Sequence, residues 1–210
     1  EMLALAESHH PHIAGAVGYD NVTFCKGKLQ DLALDLERLA AFLACSTVHT
    51  LEDLAALDAW REEQLRLEPL IATGSIDVVV SNCVLNLVAR EDRTRMFAEI
   101  HRVLQPDGRA VISDIVGSRD VPEELQADAE LWSGCISGAF REDRFLAAFA
   151  GAGFHGVRVV RRDERPWRTI RGIEFRSVTV EARKGEQGAD TTATEERDSG
   201  SGCCGASSDC

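Results

Sequence analysis

The chain has 210 residues, 44% of them hydrophobic, and a formal net charge of −12. This length and composition are ordinary for one globular domain with a sizeable core. The charge argues against nucleic acid and anionic membranes as partners, because no cluster of Lys and Arg could replace their counterions. No apolar stretch approaches the roughly 20 residues of a membrane-spanning helix and no signal peptide is recognisable, so we expect a cytoplasmic protein.

Seven cysteines stand out in a chain of this size. Without a secretory signal we expect them to be reduced thiols, kept for reactivity, metal binding or burial rather than for disulfides. Four of them lie in patterned sequence, and three lie in a tail rich in Gly, Ser and Asp. The composition of residues 185–210 has no periodicity, which predicts a disordered, cysteine-containing tail.

The first third of the chain has mainly helical patterns. Apolar residues at helical spacing fill the first ten residues and stop at Pro11. The short β-rich run "NVTFCKG" follows, and we expect Cys25 to face the core from this strand. Two amphipathic helices are then predicted in "LQDLALDLERLAAFLA", which ends near Cys45, and in "TLEDLAALDAWREEQL", which opens with a Thr50 to Asp53 capping pattern.

Strands alternate with helices in the remainder. The near-continuous apolar run "SIDVVVSN" is typical of a strand buried in a parallel sheet. A helix, the strand "RAVISDIV", a second helix and the strands "FHGVRVVRR" and "GIEFRSVTVEAR" follow. This order predicts an α/β domain with a mostly parallel sheet and an antiparallel final strand. Ligands of such open sheets bind at the carboxyl ends of the strands, where Asn82 and Cys83 fall.

Three stretches resemble a known family. The segment "EIHRVLQPDGRAVISDI" is similar to the helix, turn and strand that follow the fourth strand in Rossmann-like, S-adenosylmethionine-dependent methyltransferases. The motifs "VVVSNCVLNLV" and "LWSGCISGAF" are more specific and resemble the arsenite methyltransferases, particularly the bacterial ones. The resemblance covers roughly residues 1–184, which we predict to be a partial class I methyltransferase domain. It implies S-adenosylmethionine as cofactor, arsenite or its thiol conjugates as substrate, and a thiol reductant such as thioredoxin or glutathione as partner.

The resemblance also implies parts that we do not recognise in this sequence. Family members begin with a segment that carries a further arsenic-binding cysteine, a first strand with a Gly-rich turn, and a second strand that ends in an acidic residue. We therefore expect an N-terminally truncated chain whose sheet lacks the first two strands. Such a fragment should be inactive and unstable alone, because each unpaired buried backbone group costs about 1–3 kcal/mol.

By the same resemblance, Cys83 and Cys135 are the catalytic residues and the ligands of arsenic. Thiolates suit this soft, three-coordinate ion, whose lone pair stays free to attack the methyl donor. Alignment of the two reacting atoms about 3 Å apart could supply several kcal/mol of the barrier. The alternative for both cysteines is a small buried hydrophobe. The tail thiols could capture and deliver arsenic or could be part of a solvated terminus; they are Cys203, Cys204 and Cys210.

Two segments match the positions that bind the adenine of the cofactor in the family. Gln30 stands where the family usually has Glu, and Asp31 could equally be an acidic residue in the first turn of a helix. The predicted cofactor residues are Leu29, Gln30, Asp31, Ser81, Asn82 and Val84. Two other functions stay open: another small-molecule methyltransferase with incidental cysteines, and a non-enzymatic soft-metal binding protein.

Overall fold

The computed structural model describes residues 2–185. The α-helices in this range are α1 (Met2–Val17), α2 (Leu36–Cys45), α3 (Leu51–Leu67), α4 (Arg93–Val103), α5 (Glu123–Gln126), α6 (Ala129–Ser133) and α7 (Glu142–Gly151). The strands are β1 (Ile76–Asn82), β2 (Leu104–Gly117), β3 (Phe140–Arg141), β4 (His155–Arg162), β5 (Arg168–Ile170) and β6 (Ile173–Arg183). Two 3-10 turns, Leu85–Leu87 and Arg90–Asp92, connect β1 to α4.

All six strands of this range form one sheet with the central order β1-β2-β6-β4. Strand β1 is parallel to β2, whereas β6 runs antiparallel between β2 and β4. The predicted α/β architecture with an antiparallel final strand is therefore confirmed. Within residues 2–185, β1 is the first strand along the chain.

An aromatic cluster fixes α4 and α7 against the sheet. Phe97 of α4 and the α7 residues Phe145 and Phe149 are at most 1% exposed. The ring centroids of Phe97 and Phe149 lie 4.9 Å apart, and those of Phe145 and Phe149 lie 5.4 Å apart, both in edge-to-face geometry. Such contacts add specificity to the burial of large apolar surfaces. They hold in place the layer that underlies the carboxyl ends of β1 and β2.

The structure corrects three predictions for the first part of the chain. Helix α1 continues through Pro11, where the sequence predicts a stop. Residues 21–27 form no strand, and Cys25 is exposed rather than facing the core. Cys45 ends α2 as predicted, but it too is exposed rather than buried. No helix among residues 2–185 has both the length and the apolarity needed to cross a bilayer.

Helix α2 also starts later than its apolar periodicity predicts. Asp35 is the N-cap, and its carboxylate accepts hydrogen bonds from the backbone N–H groups of Glu37 and Arg38 at 2.8 and 3.1 Å. This cap fixes the helix start at Leu36. Residues 29–31 therefore belong to the preceding turns and not to the first turn of a helix.

Candidate functional site

Cys83 lies directly beyond the carboxyl end of β1. Its backbone N–H donates a 2.9 Å hydrogen bond to the carbonyl of Ser113 on β2, so the strand is held up to its last residue. Its φ of 55° then turns the chain away from the sheet, and its side chain is exposed. A thiol therefore stands at the edge of the sheet where α/β folds bind ligands.

Cys135 lies in the loop that follows α6, and its side chain contacts the backbone of Cys83. It is 8% exposed, and its Sγ is 3.3 Å from the backbone carbonyl oxygen of Cys83. Its φ of 59° is also in the left-handed region, which costs a residue other than glycine about 1–3 kcal/mol. The structure thus places the Cys135 thiol beside the backbone of Cys83, and both cysteines have a backbone conformation that the surrounding contacts must enforce.

A buried amide and a buried carboxylate connect the two cysteine loops. Asn86 and Asp114 are each 1% exposed. The side-chain Nδ2 of Asn86 donates to Asp114 Oδ1 at 2.7 Å and to the Ile115 carbonyl at 2.7 Å, and it lies 3.3 Å from the carbonyl oxygen of Cys135. The backbone N–H of Asn86 donates to Asp114 Oδ2 at 3.2 Å. The carboxyl end of β2 is therefore joined to both loops.

Arg93, the first residue of α4, makes a second connection between the loops. Its guanidinium donates to the carbonyl of Gly138 at 2.7 Å and to that of Asn86 at 3.4 Å. It also lies over the ring of Phe140, 4.3 Å from the centroid, which favours a cation. Burial lowers the pKa of Arg93 to about 10, with Arg90 adding to the effect, so the guanidinium still carries its charge at neutral pH.

Both thiols are disfavoured as thiolates. Burial raises the pKa of Cys83, and the charge of Asp114 raises it further. Burial likewise raises the pKa of Cys135, followed by the effects of Asp114 and of Cys83. The pKa of Asp114 is itself raised by burial, against which backbone N–H donors and Arg93 act. The pair is therefore protonated at neutral pH.

The first predicted cofactor segment is engaged in protein contacts. The carboxylate of Asp31, which is 6% exposed, lies 2.7 Å from the guanidinium groups of both Arg61 and Arg95. Gln30 Nε2 donates to Asp92 Oδ2 at 3.2 Å, and Leu29 packs against the main core. These contacts favour a structural role for Asp31, although not the helix-dipole role considered above.

The second predicted segment is exposed at two of its three positions. Asn82 is exposed at the end of β1, and Val84 is 40% exposed just beyond Cys83. Ser81 is half-buried and pairs in register with Ile112 on β2. Cys203, Cys204 and Cys210 lie outside the described residues. Within residues 2–185, no group of three or more His, Cys, Asp or Glu side chains is arranged to hold a metal ion.

Sequence reasoning missed the residues that join the loops. Asp114 is an acidic residue inside the otherwise apolar strand "AVISDIV", and this was the available signal, since a buried carboxylate needs partners. Asn86 and Arg93 gave no such signal, because the contacts that join the loops, from Asn86 to Asp114 and from Arg93 to Gly138, are with residues distant in sequence.

The fold is that of a class I methyltransferase. Residues 1–153 match the family described as methyltransferase domain, and the chain belongs to this family. Two curated relatives that are similar to this chain are named as arsenite methyltransferases. An arsenite methyltransferase of Halobacterium salinarum is 38% identical over 121 residues, which cover 54% of this chain and 30% of the relative. One of Aquipseudomonas alcaligenes is 31% identical over 160 residues, 76% of this chain and 36% of the relative.

These relatives confirm the resemblance that the two cysteine motifs predict. The chain spans about a third of the length of the curated relatives it matches. Among solved structures, CrArsM of Chlamydomonas reinhardtii, described as an arsenic(III) S-adenosylmethionine methyltransferase, superimposes with a TM-score of 0.61 at 23% identity. The match covers 88% of this chain and 52% of that protein, and it supports the fold.

Proposed function

We propose that this protein takes part in the methylation of trivalent arsenic, which Cys83 and Cys135 hold as thiolates. The observation that supports this function is the approach of two cysteines that are 52 residues apart in sequence. The Sγ atom of Cys135 lies 3.3 Å from the carbonyl oxygen of Cys83, at the edge of the sheet where α/β folds bind ligands. The curated relatives, which are named as arsenite methyltransferases, provide the substrate class.

Protonated thiols are suited to capturing arsenous acid. As each As–S bond forms, an As–OH bond breaks, and the hydroxide leaves as water with the thiol proton. Arsenic stays trivalent, and no separate base is required. The raised pKa of each cysteine therefore keeps on the thiol the proton that the leaving hydroxide needs. Soft thiolates then hold the soft ion, with its lone pair free for reaction.

S-adenosylmethionine is the cofactor that the methyltransferase family implies. When bound, it supplies the electrophilic methyl group that arsenic accepts. In this chain Asn82 and Val84 are exposed beside Cys83, which fits a ligand at that position. Ser81, Leu29 and Gln30 remain predicted contacts. Asp31 fits less well, because two arginines already neutralise its carboxylate.

Arsenite binding to the full 210-residue chain tests the proposal. Binding is the first readout because the sequence predicts that these residues alone are inactive. We expect one arsenic to be retained per chain, and Cys83→Ser or Cys135→Ser to abolish this retention in a chain whose tail cysteines are serine. Cys25→Ser and Cys45→Ser are matched controls, since both thiols are exposed and distant in sequence from the pair. Arsenite retention unchanged by Cys83→Ser and Cys135→Ser would refute the proposal.

Titration with S-adenosylmethionine separates the alternatives. Binding of S-adenosylmethionine without arsenite indicates another small-molecule methyltransferase. Arsenite retention without any S-adenosylmethionine binding indicates a soft-metal binding protein. The expected result is binding of both ligands. Where arsenic methylation is measured, it should depend on both cysteines and on a thiol reductant.

A further inference from the structure

The side chain of Asn86 has an orientation that its surroundings fix. Its Nδ2 group faces three acceptors: the Asp114 carboxylate and the Ile115 carbonyl, which belong to adjacent residues of β2, and the Cys135 carbonyl of the loop after α6. Rotating the amide by half a turn would place Oδ1 against these three oxygens, none of which can donate. The amide therefore has one favourable orientation, and in it a single donor group spans β2 and the loop of Cys135.

The backbone of Asn86 is fixed as firmly as its side chain. Its N–H donates to the same Asp114 carboxylate, and its carbonyl accepts from Arg93, which also holds the carbonyl of Gly138. Asn86 is only three residues beyond Cys83, in the turn Leu85–Leu87. Any movement of Asn86 therefore changes the position of one cysteine loop relative to the other.

On the basis of the proposed function, we propose that Asn86 is a positioning residue that sets the spacing between the thiols of Cys83 and Cys135. Its hydrogen bonds go to neither sulfur atom; its amide holds the carbonyl of Cys135 to the turn that carries Cys83. The second As–S bond forms within the protein, so its strength depends on the effective concentration of the second thiol. A loop released from Asn86 lowers that concentration while each thiol keeps its own reactivity.

The test uses the full chain with the five cysteines other than Cys83 and Cys135 replaced by serine. The probe is phenylarsine oxide, which is hydrated in water and forms two As–S bonds with loss of two waters. We expect Asn86→Ala to weaken binding of this probe by about 10–100-fold, the size of effect typical for residues that orient ligand side chains. The alkylation rate of each thiol, measured in the two single-cysteine chains, should stay unchanged.

Ser137→Ala is the matched control. Ser137 is fully buried in the Cys135 loop, and its hydroxyl donates to the carbonyls of Leu125 and Asp128, but it makes no hydrogen bond to the Cys83 segment. This variant should lower the melting temperature and preserve the affinity for the probe. Equal loss of affinity in the Asn86 and Ser137 variants would assign the effect to general loosening and overturn the proposal.

A second variant decides the matter if Asn86→Ala does not fold. Asn86→Ser keeps one short side-chain donor for the Asp114 carboxylate and leaves the charge of Asp114 in place, but a single hydroxyl cannot also hold the Cys135 carbonyl. We expect folding to be recovered and probe affinity to remain low. Affinity at the level of the parent chain would overturn the inference. Failure of the parent chain itself to bind the probe through both thiols would instead refute the proposed function.

Discussion

At the scale of single residues, burial and one buried carboxylate set the ionisation of the two thiols. Asp114 raises the pKa of both Cys83 and Cys135, in addition to the larger effect of burial. The folded-state pKa of each thiol thus exceeds its value in the unfolded chain. Protonated thiols consequently favour the folded state below the unfolded pKa of about 8.5, and this contribution is lost as the pH rises through the raised values.

Removal of the Asp114 charge should lower the pKa of Cys83. We expect Asp114→Asn to shift the pH midpoint of Cys83 alkylation downward, in a chain whose other cysteines are serine, because the nearby negative charge is gone. The midpoint should stay above that of a free thiol, since burial is the larger cause. Asp120→Asn is the control, as Asp120 pairs with Arg141 and Arg144. An unchanged midpoint in Asp114→Asn would contradict the electrostatic account.

At the scale of structural elements, the turn after β1 and the loop after α6 are in direct backbone contact at Gly138. A Cβ atom on Gly138 would lie 1.8 Å from the carbonyl oxygen of Asn86 and 2.9 Å from its carbonyl carbon. Neither atom belongs to a flexible side chain, so a larger residue must separate the two segments. The requirement for glycine here is a matter of space, since the φ of Gly138 is not positive.

Gly138→Ala should therefore both destabilise the fold and weaken arsenical binding. Overpacking of this kind costs about 1–3 kcal/mol, measurable as a lower free energy of unfolding in urea. Gly151→Ala is the matched control, because no atom lies within 4 Å of a Cβ at this last residue of α7. That change should be neutral or stabilising by up to about 1 kcal/mol. Equal stability of the two variants would show that the loops separate freely.

At the scale of the whole molecule, β1 presents an open edge in the described part of the chain. It pairs with β2 alone among residues 2–185, and two of its valines are exposed, Val78 by 40% and Val80 by 73%. An apolar edge strand with unpaired backbone groups is a template for association between chains. The central strands β2 and β6 do not share this exposure, since each is paired on both sides.

Val80→Lys should reduce self-association of the chain, because lysine on an edge strand opposes pairing with another strand. Light scattering as a function of concentration measures the effect, and the melting temperature should change little because Val80 is exposed. Ile13→Lys is the control: Ile13 is 56% exposed on α1, away from the sheet edge. Equal reduction by both variants would indicate general hydrophobic association rather than pairing at the edge.

The sequence by itself determined the elements and the family, because both are encoded locally. The apolar run before Asn82 and the alternation of strands with helices identified the sheet, and the motifs around Cys83 and Cys135 identified the relatives. Local signals failed where another local effect prevailed, as in the Asp35 cap that starts α2 late, or where the described residues pair no strand with the run, as for the one containing Cys25.

Only the tertiary structure decided how the two cysteines meet. Contact between residues 52 positions apart depends on the pairing of β1 with β2 and on the path of the loop after α6. The buried contacts of Asn86, Asp114 and Arg93 arise from that path, as does the left-handed backbone of both cysteines. No periodicity in the sequence carries such information, because the free energy of these contacts depends on groups that the fold brings together.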